Sequence, residues 1–236
     1  MQQLQPQSGS VEVSQYEGEI QVVFSQVYLL MTLGLVITAI VAAYISTNQA
    51  AMTLLFSSPW IPIGLFIVQI VIVIALSAAV TRLSPGVAVA LFLAYSALTG
   101  ITLSLIFLVY TDASIVTTFF ITAGTFGVMS VFGFVTRRDL TKLGSLMIML
   151  LLGFILATLL NLFLNSPTIY WVLTFLGIGI FVGLIAYDTQ KIKRMAASGL
   201  ATGRSRTALS VIGALALYLD FINLFLLLLR LFGRRR

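Results

Sequence analysis

Long apolar stretches alternate with short polar segments along almost the whole chain. Each stretch is close to the roughly 20 residues that a helix needs to cross a bilayer. The pattern predicts seven transmembrane helices, over residues 24–46, 60–81, 86–109, 114–135, 143–163, 169–189 and 208–231. Pro85 and Pro167 fall at the start of predicted helices, where proline is tolerated. We therefore predict an all-α, polytopic membrane protein.

The two ends of the chain differ from this apolar part. Residues 1–23 are polar and acidic and contain no Lys or Arg, which predicts a flexible tail rather than a secretory signal. Residues 234–236 form a short basic end. Between them, residues 24–233 are predicted to form one membrane domain, and its longest connection, 191–207, is predicted to be a mobile, solvated loop.

Composition and charge give the orientation of the helices. The chain has 236 residues, of which 60% are hydrophobic and 8% charged, whereas soluble domains carry about 25% charged residues. The loops after the second, fourth and sixth spans contain Lys and Arg, and the loops after the first, third and fifth contain none. The positive-inside rule therefore predicts a cytoplasmic amino terminus and, after seven spans, an outer carboxyl terminus, although the basic end 234–236 favours the opposite side. We interpret the net charge of +6 as a topology signal and expect no nucleic-acid partner.

Cysteine and histidine are both absent from the sequence. Their absence excludes disulfide frameworks, thiol catalysis and zinc sites with the usual ligand sets. It also removes the residue that most often acts as a general base. We expect no metal site, no resident cofactor and no enzymatic activity.

Two acidic residues lie within apolar segments. Asp220 interrupts the stretch 215–230, where a carboxylate costs roughly 2.5–3.5 kcal/mol on insertion scales, so a functional role is the default. Asp188 is either a second such residue or a solvated residue at a helix end. At about 1.5 Å per residue, the two acids miss each other by roughly two helical turns. They meet only if the seventh helix begins about two turns inside the cytoplasm, or if a water-filled cavity reaches both.

The chemistry of two adjoining carboxyl groups follows from electrostatics. Two carboxylates within hydrogen-bonding distance cannot both ionise cheaply, so such a pair shares one proton. A pair of this kind would respond to pH in a chain that lacks histidine, the usual residue for that task.

Three segments resemble the Bax inhibitor family, also called the transmembrane Bax inhibitor motif proteins. They are 186–190 (Ala-Tyr-Asp-Thr-Gln), 217–225 (Leu-Tyr-Leu-Asp-Phe-Ile-Asn-Leu-Phe, followed by Arg230) and 100–104 (Gly-Ile-Thr-Leu-Ser). The resemblance, to bacterial-type members, extends from about Phe24 onward. It implies seven helices with the C-terminal helix at the centre, and location in a bacterial inner (plasma) membrane.

The resemblance also implies a passive, pH-sensitive calcium leak. Asp188 and Asp220 would form a carboxylate pair that acts as proton switch and ion path. Arg82 would be a latch for Asp188; alternatively it is a plain positive-inside residue. Calcium or another cation would pass only transiently, because calcium prefers roughly six to eight oxygen ligands. The residues expected to support the pair are Tyr187, Gln190 and Asn223.

Other functions stay open. Intramembrane aspartyl proteases also use two aspartates on adjacent helices, one after a tyrosine as in Tyr187-Asp188, but Asp220 does not follow Gly-x-Gly and the chain has no Pro-Ala-Leu segment. A membrane-embedded modulator of a membrane protease or of a cell-death or stress factor would bind a protein partner and need no transport of its own. Proton-coupled antiport is a further variant of transport.

Overall fold

The computed structural model describes residues 8–80, 82–198 and 204–236. For residues 8–17, 56 and 204 it describes the backbone alone. Nine helices contain most of these described residues. Within that part of the chain there is no strand, only an isolated bridge between Tyr110 and Arg235. The helices are α1 (Ser8–Thr47), α2 (Gln49–Phe56), α3 (Trp60–Ala79), α4 (Pro85–Leu103), α5 (Ile106–Val109), α6 (Asp112–Val135), α7 (Thr141–Leu164), α8 (Pro167–Ala197) and α9 (Arg204–Phe232).

The described residues contain seven helical stretches that are long and apolar enough to cross a membrane. They correspond to α1 from Gly18 onward, α3, α4 together with α5, α6, α7, α8 and α9 from Ser205 onward. This confirms the predicted all-α, polytopic architecture. The short helix α2 is an addition, and Asn48 caps it by accepting a hydrogen bond from the backbone N–H of Ala51 at 3.0 Å.

The C-terminal helix lies at the centre of the bundle. α9 packs against α1, α4, α6 and α8, and its Leu217, Tyr218 and Leu224 are fully buried. By contrast, α7 packs mainly on α8 and exposes leucines such as Leu156 and Leu160 outward. In a membrane such outward apolar side chains face lipid tails, whereas α9 is covered by protein. The central position of the last helix is therefore confirmed.

Small residues bring α6 and α7 close to α8. A Cβ added at Gly133 of α6 would lie 2.2 Å from the carbonyl oxygen of Ala186. A Cβ added at Gly144 of α7 would lie 2.2 Å from the ring of Tyr187. Packing of this closeness is typical of transmembrane interfaces, where association depends on van der Waals contact. Both contacts lie beside Asp188.

The predicted loop over 191–207 is wrong for most of its length. α8 continues to Ala197 and α9 begins at Arg204, and residues 199–203 lie outside the described part of the chain. The extension of α8 has partners in the last turn of α6 and in the turn that follows it. Lys193 donates to the carbonyl of Phe134 at 2.7 Å, and Gln190 donates to the carbonyl of Arg138 at 2.8 Å. These bonds fix the part of α8 beyond the apolar span against its neighbours in the chain.

The predicted flexible tail over 1–23 is helical from Ser8, and residues 1–7 lie outside the described residues. Val23 is fully buried in the bundle core. Glu19 forms an ion pair with Arg206 at the start of α9. This ion pair and the burial of Val23 join α1 to α9 before the predicted first span begins.

The basic C-terminal end lies across the turn between α5 and α6. Thr111 donates its backbone N–H to the carbonyl of Arg234 at 3.1 Å, and Arg236 donates its backbone N–H to Val109 at 3.0 Å. The guanidinium of Arg236 also pairs with Asp112 at 2.7 Å. This turn follows the third span, so the carboxyl terminus lies at the same end as the loops without Lys or Arg. The carboxylate of Asp112 thus offsets part of the positive charge of the basic end.

We expect Gly133→Ala to destabilise the bundle. The new methyl group would force α6 away from α8, and overpacking of this kind typically costs about 1–3 kcal/mol. Thermal unfolding of the detergent-solubilised protein measures the effect. Gly127→Ala on the same helix is the matched control, because a Cβ there meets nothing within 4 Å. Equal unfolding temperatures for the two variants would contradict the packing.

The absence of native cysteine allows a direct test of orientation. In spheroplasts, a membrane-impermeant maleimide should label Arg235→Cys, because the basic end is predicted to lie on the outer side. The same reagent should label Arg137→Cys, in the turn between α6 and α7, only after the membrane is permeabilised. The opposite pattern would invert the predicted topology.

Candidate functional site

Asp188 and Asp220 lie side by side between α8 and α9. The two helices are antiparallel, with Gly177 packed against Leu227 and Ile192 against Gly213. In this register the side chains of Asp188 and Asp220 are in hydrogen-bonding contact. Gly213 is reached from Ile192, which lies beyond the predicted end of the sixth span. Residue 208, the predicted start of the seventh helix, thus lies about two turns beyond the predicted end of the sixth span, which is one of the two conditions for the meeting.

The two carboxyl groups differ in their surroundings. Asp220 is only 5% exposed, and its Oδ2 has no hydrogen-bond partner among the described residues. Asp188 is half-buried, and Lys191, one turn further along α8, is the cation that faces it. Two ionised carboxylates this close repel each other, whereas a pair that carries one proton can share it in a hydrogen bond. The pair thus lies between the sealed surroundings of Asp220 and the more open surroundings of Asp188.

The structure does not bring Arg82 to this pair. Arg82 follows α3, its backbone N–H bonds to Ala79 at 2.8 Å, and its side chain is exposed. Both residues are described, and they form no ion pair with each other. In this conformation the expected ion pair between Arg82 and Asp188 is therefore not formed.

The three predicted supporting residues have separate contacts. Tyr187 packs against Gly144 of α7. Gln190 accepts hydrogen bonds from the backbone N–H of Leu140 at 2.9 Å and from Arg194 at 2.5 Å. Asn223 donates to the carbonyl of Leu219 in its own helix. Tyr187 and Gln190 thus fix α8 against its neighbours, whereas Asn223 makes no hydrogen bond to another described helix.

Two groups of hydroxyls near the pair were not predicted. The Tyr218 hydroxyl lies 2.6 Å from that of Thr38, which also lies 2.9 Å from the carbonyl of Ser96. Elsewhere Ser130 connects Tyr28 of α1 with Thr189 of α8 by hydrogen bonds. Tyr218 and Thr189 lie within the family-like segments, which was a usable signal. Their partners on α1, α4 and α6 gave none, because threonine and serine are common in transmembrane helices.

These features define a class of protein: an integral membrane protein of seven helices whose central helix meets its neighbour through a buried pair of carboxyl groups. The family model described as inhibitor of apoptosis-promoting Bax1 matches residues 20–236. The chain belongs to this Bax inhibitor family, as the motifs predicted.

Bacterial relatives cover almost the whole chain. It is 50% identical over 232 residues to the inner membrane protein YbhL of Escherichia coli K12, which covers 98% of each chain. It is 44% identical over 229 residues to an uncharacterized protein of Borreliella burgdorferi, covering 96% of this chain and 99% of that one. A Rickettsia prowazekii protein is 41% identical over 213 residues, or 89% of each chain. The relatives are bacterial and the first is named an inner membrane protein, which confirms the predicted localisation.

The exposed ion pair beside the site should not respond to pH between 5 and 8. Hydrogen bonds from Thr141, and then the guanidinium of Arg194, hold the pKa of Asp139 below its usual value of about 4. A carboxyl group with a lowered pKa stabilises the fold above its unfolded pKa and loses this effect only as the pH falls below it. Asp139→Asn should therefore lower the unfolding temperature slightly and equally at pH 5 and pH 8. A loss confined to one of these pH values would contradict this assignment.

Proposed function

We propose that the protein is a passive, pH-gated cation leak, with calcium as the expected ion and the Asp188–Asp220 pair as its proton switch. The observation that carries the proposal is the contact of the two carboxyl groups inside the bundle. A carboxyl group at this depth is expensive to keep, and such groups in membrane helices typically serve ion or proton pathways.

The switch depends on the charge of the pair. With one shared proton, Asp188 and Asp220 stay in contact. Loss of that proton places two negative charges together, and the half-buried Asp188 then gains by turning to a cation at the cytoplasmic end. Lys191 and Arg82 are the candidates for that cation. We propose that the resulting ion pair closes the cytoplasmic mouth and that protonation opens it.

The ion is cargo in this proposal rather than a resident cofactor. Calcium prefers roughly six to eight oxygen ligands, so two carboxyl groups favour transient passage over storage. The proposal assigns the protein no catalytic activity and no bound metal or cofactor. Its membrane context is the lipid of a bacterial inner membrane.

Calcium flux into liposomes that contain the purified protein tests the switch. The wild type should conduct more as the pH falls from 8 to 6, by up to about tenfold per pH unit for a single proton. Asp188→Asn and Asp220→Asn should each give flux that no longer depends on pH, because the neutral amide cannot release a proton.

Asp139→Asn is the matched control, since it removes an exposed carboxylate at the same end of the bundle. It should keep the pH dependence of the wild type. Arg82→Gln and Lys191→Gln in the same assay identify the latch, because the variant without it should stay open at pH 8. Unchanged pH dependence in both Asp188→Asn and Asp220→Asn would refute the switch. A purified wild type that moves no ions would refute the leak.

A further inference from the structure

A polar cavity lies at the outer end of the bundle, away from the carboxylate pair. It has a volume of about 350 Å³ and lies where α7 ends and α8 begins, with α9 contributing one charged side chain. Its polar lining residues are Thr158, Asn161, Asn165, Ser166 and Arg230.

Arg230 is the unusual member of this cavity. Its guanidinium lies 4.4 Å from the centre of the Tyr170 ring, and the side chain is half-buried. Across residues 8–80, 82–198 and 204–236, no carboxylate pairs with this guanidinium and no protein oxygen accepts a hydrogen bond from it. A guanidinium keeps its charge and has five N–H donors in a planar fork. The ring of Tyr170 covers one face of the guanidinium, and the N–H donors of Arg230 are available to a ligand in the cavity.

Other groups in the cavity suit the same ligand. Asn161 uses its Oδ1 to accept the backbone N–H of Ser166 at 3.1 Å, which leaves its amide nitrogen as a donor. The Ser166 hydroxyl accepts the backbone N–H of Ile169, so its own hydrogen can also be donated. The start of α8 at Pro167 adds the partial positive charge of a helix N-terminus. The cavity therefore offers donors and positive charge, and its lining includes no acidic residue.

The position of the cavity indicates where its ligand would come from. Tyr170 and Trp171 lie at the predicted outer interface, in the manner of an aromatic belt at headgroup level. Leu162, in the cavity wall, is 67% exposed, and Phe163 beside it is 85% exposed. Such side chains contact lipid in a membrane, so one wall of the cavity borders the acyl chains while Arg230 lies in its polar part.

We propose that this cavity is a binding site for a phosphate group. Arg230 would bind two of its oxygens through the planar fork, the geometry in which arginine binds phosphate most strongly. Asn161 and Ser166 would donate to the remaining oxygens. A phospholipid headgroup of the outer leaflet and free phosphate share this chemistry.

Native mass spectrometry of the full chain in detergent tests the site. The probes are phosphatidylglycerol, diacylglycerol with the same acyl chains, and inorganic phosphate. The wild type should bind phosphatidylglycerol about tenfold more tightly than diacylglycerol. Arg230→Gln should remove this difference, whereas Arg235→Gln, which removes an equal charge from the exposed end of the chain, should preserve it.

Asn161→Asp provides a second variant in case Arg230→Gln does not fold. The aspartate keeps the oxygen that accepts from Ser166, but its charge would pair with Arg230 and repel phosphate. Its binding of phosphatidylglycerol should fall about tenfold, while Gln49→Asp, which adds the same charge to the exposed outer helix α2, should change it less than twofold.

The probes also separate the two sources of phosphate. Displacement of phosphatidylglycerol by millimolar inorganic phosphate would support a site that accepts free phosphate, and no displacement would support a site for the lipid. Equal wild-type affinity for phosphatidylglycerol and diacylglycerol would overturn the proposal. Equal losses in Arg230→Gln and Arg235→Gln, or full binding by Asn161→Asp, would overturn it as well.

Discussion

A carboxyl group in the middle of a membrane-spanning helix must be covered by protein and given a polar partner. Asp220 meets both requirements only if its helix lies at the centre and if α8 presents Asp188 at the same height. This single contact fixes the antiparallel register of the two helices. Gly133 and Gly144 then allow α6 and α7 to close on α8 at that level. The bundle is thus arranged around one contact between carboxyl groups inside its core.

At each end of the bundle, basic residues bind partners on neighbouring elements. At one end, Lys193 and Arg194 on the extension of α8 bind Phe134 in the last turn of α6 and Asp139 in the turn that follows. At the other end, the basic C-terminus binds Asp112 after α5. α3 takes no part in either arrangement, because it packs mainly on α4. Arg82 follows this peripheral helix and forms no ion pair with Asp188.

Apolar runs were enough to predict the seven spans, because lipid imposes their length and composition directly. The loop charges predict a side for each loop, which the labelling experiment tests. The two acids were identifiable as a site because charged residues at this depth are rare. Their contact could not be predicted from the sequence. Lys191, Lys193 and Arg194 indicated a solvated loop, whereas in the structure they continue α8. Likewise nothing near Thr38 indicated Tyr218 as its partner, because only the folded bundle joins α1 to α9.

In the proposed leak, the contacts of α8 with α9 restrict how the protein can open. Asp220 and Arg230 are ten residues apart on α9, about 15 Å along its axis, and both meet side chains of α8, namely Asp188 and Tyr170. Sliding α9 by one turn, about 5.4 Å, would break both contacts at once. It would also break the hydrogen bonds between the C-terminal end and the turn after α5. Turning the Asp188 side chain toward a cation breaks only its contact with Asp220. The proposed gate would therefore break fewer contacts if peripheral helices moved around a fixed α8–α9 pair than if that pair itself moved.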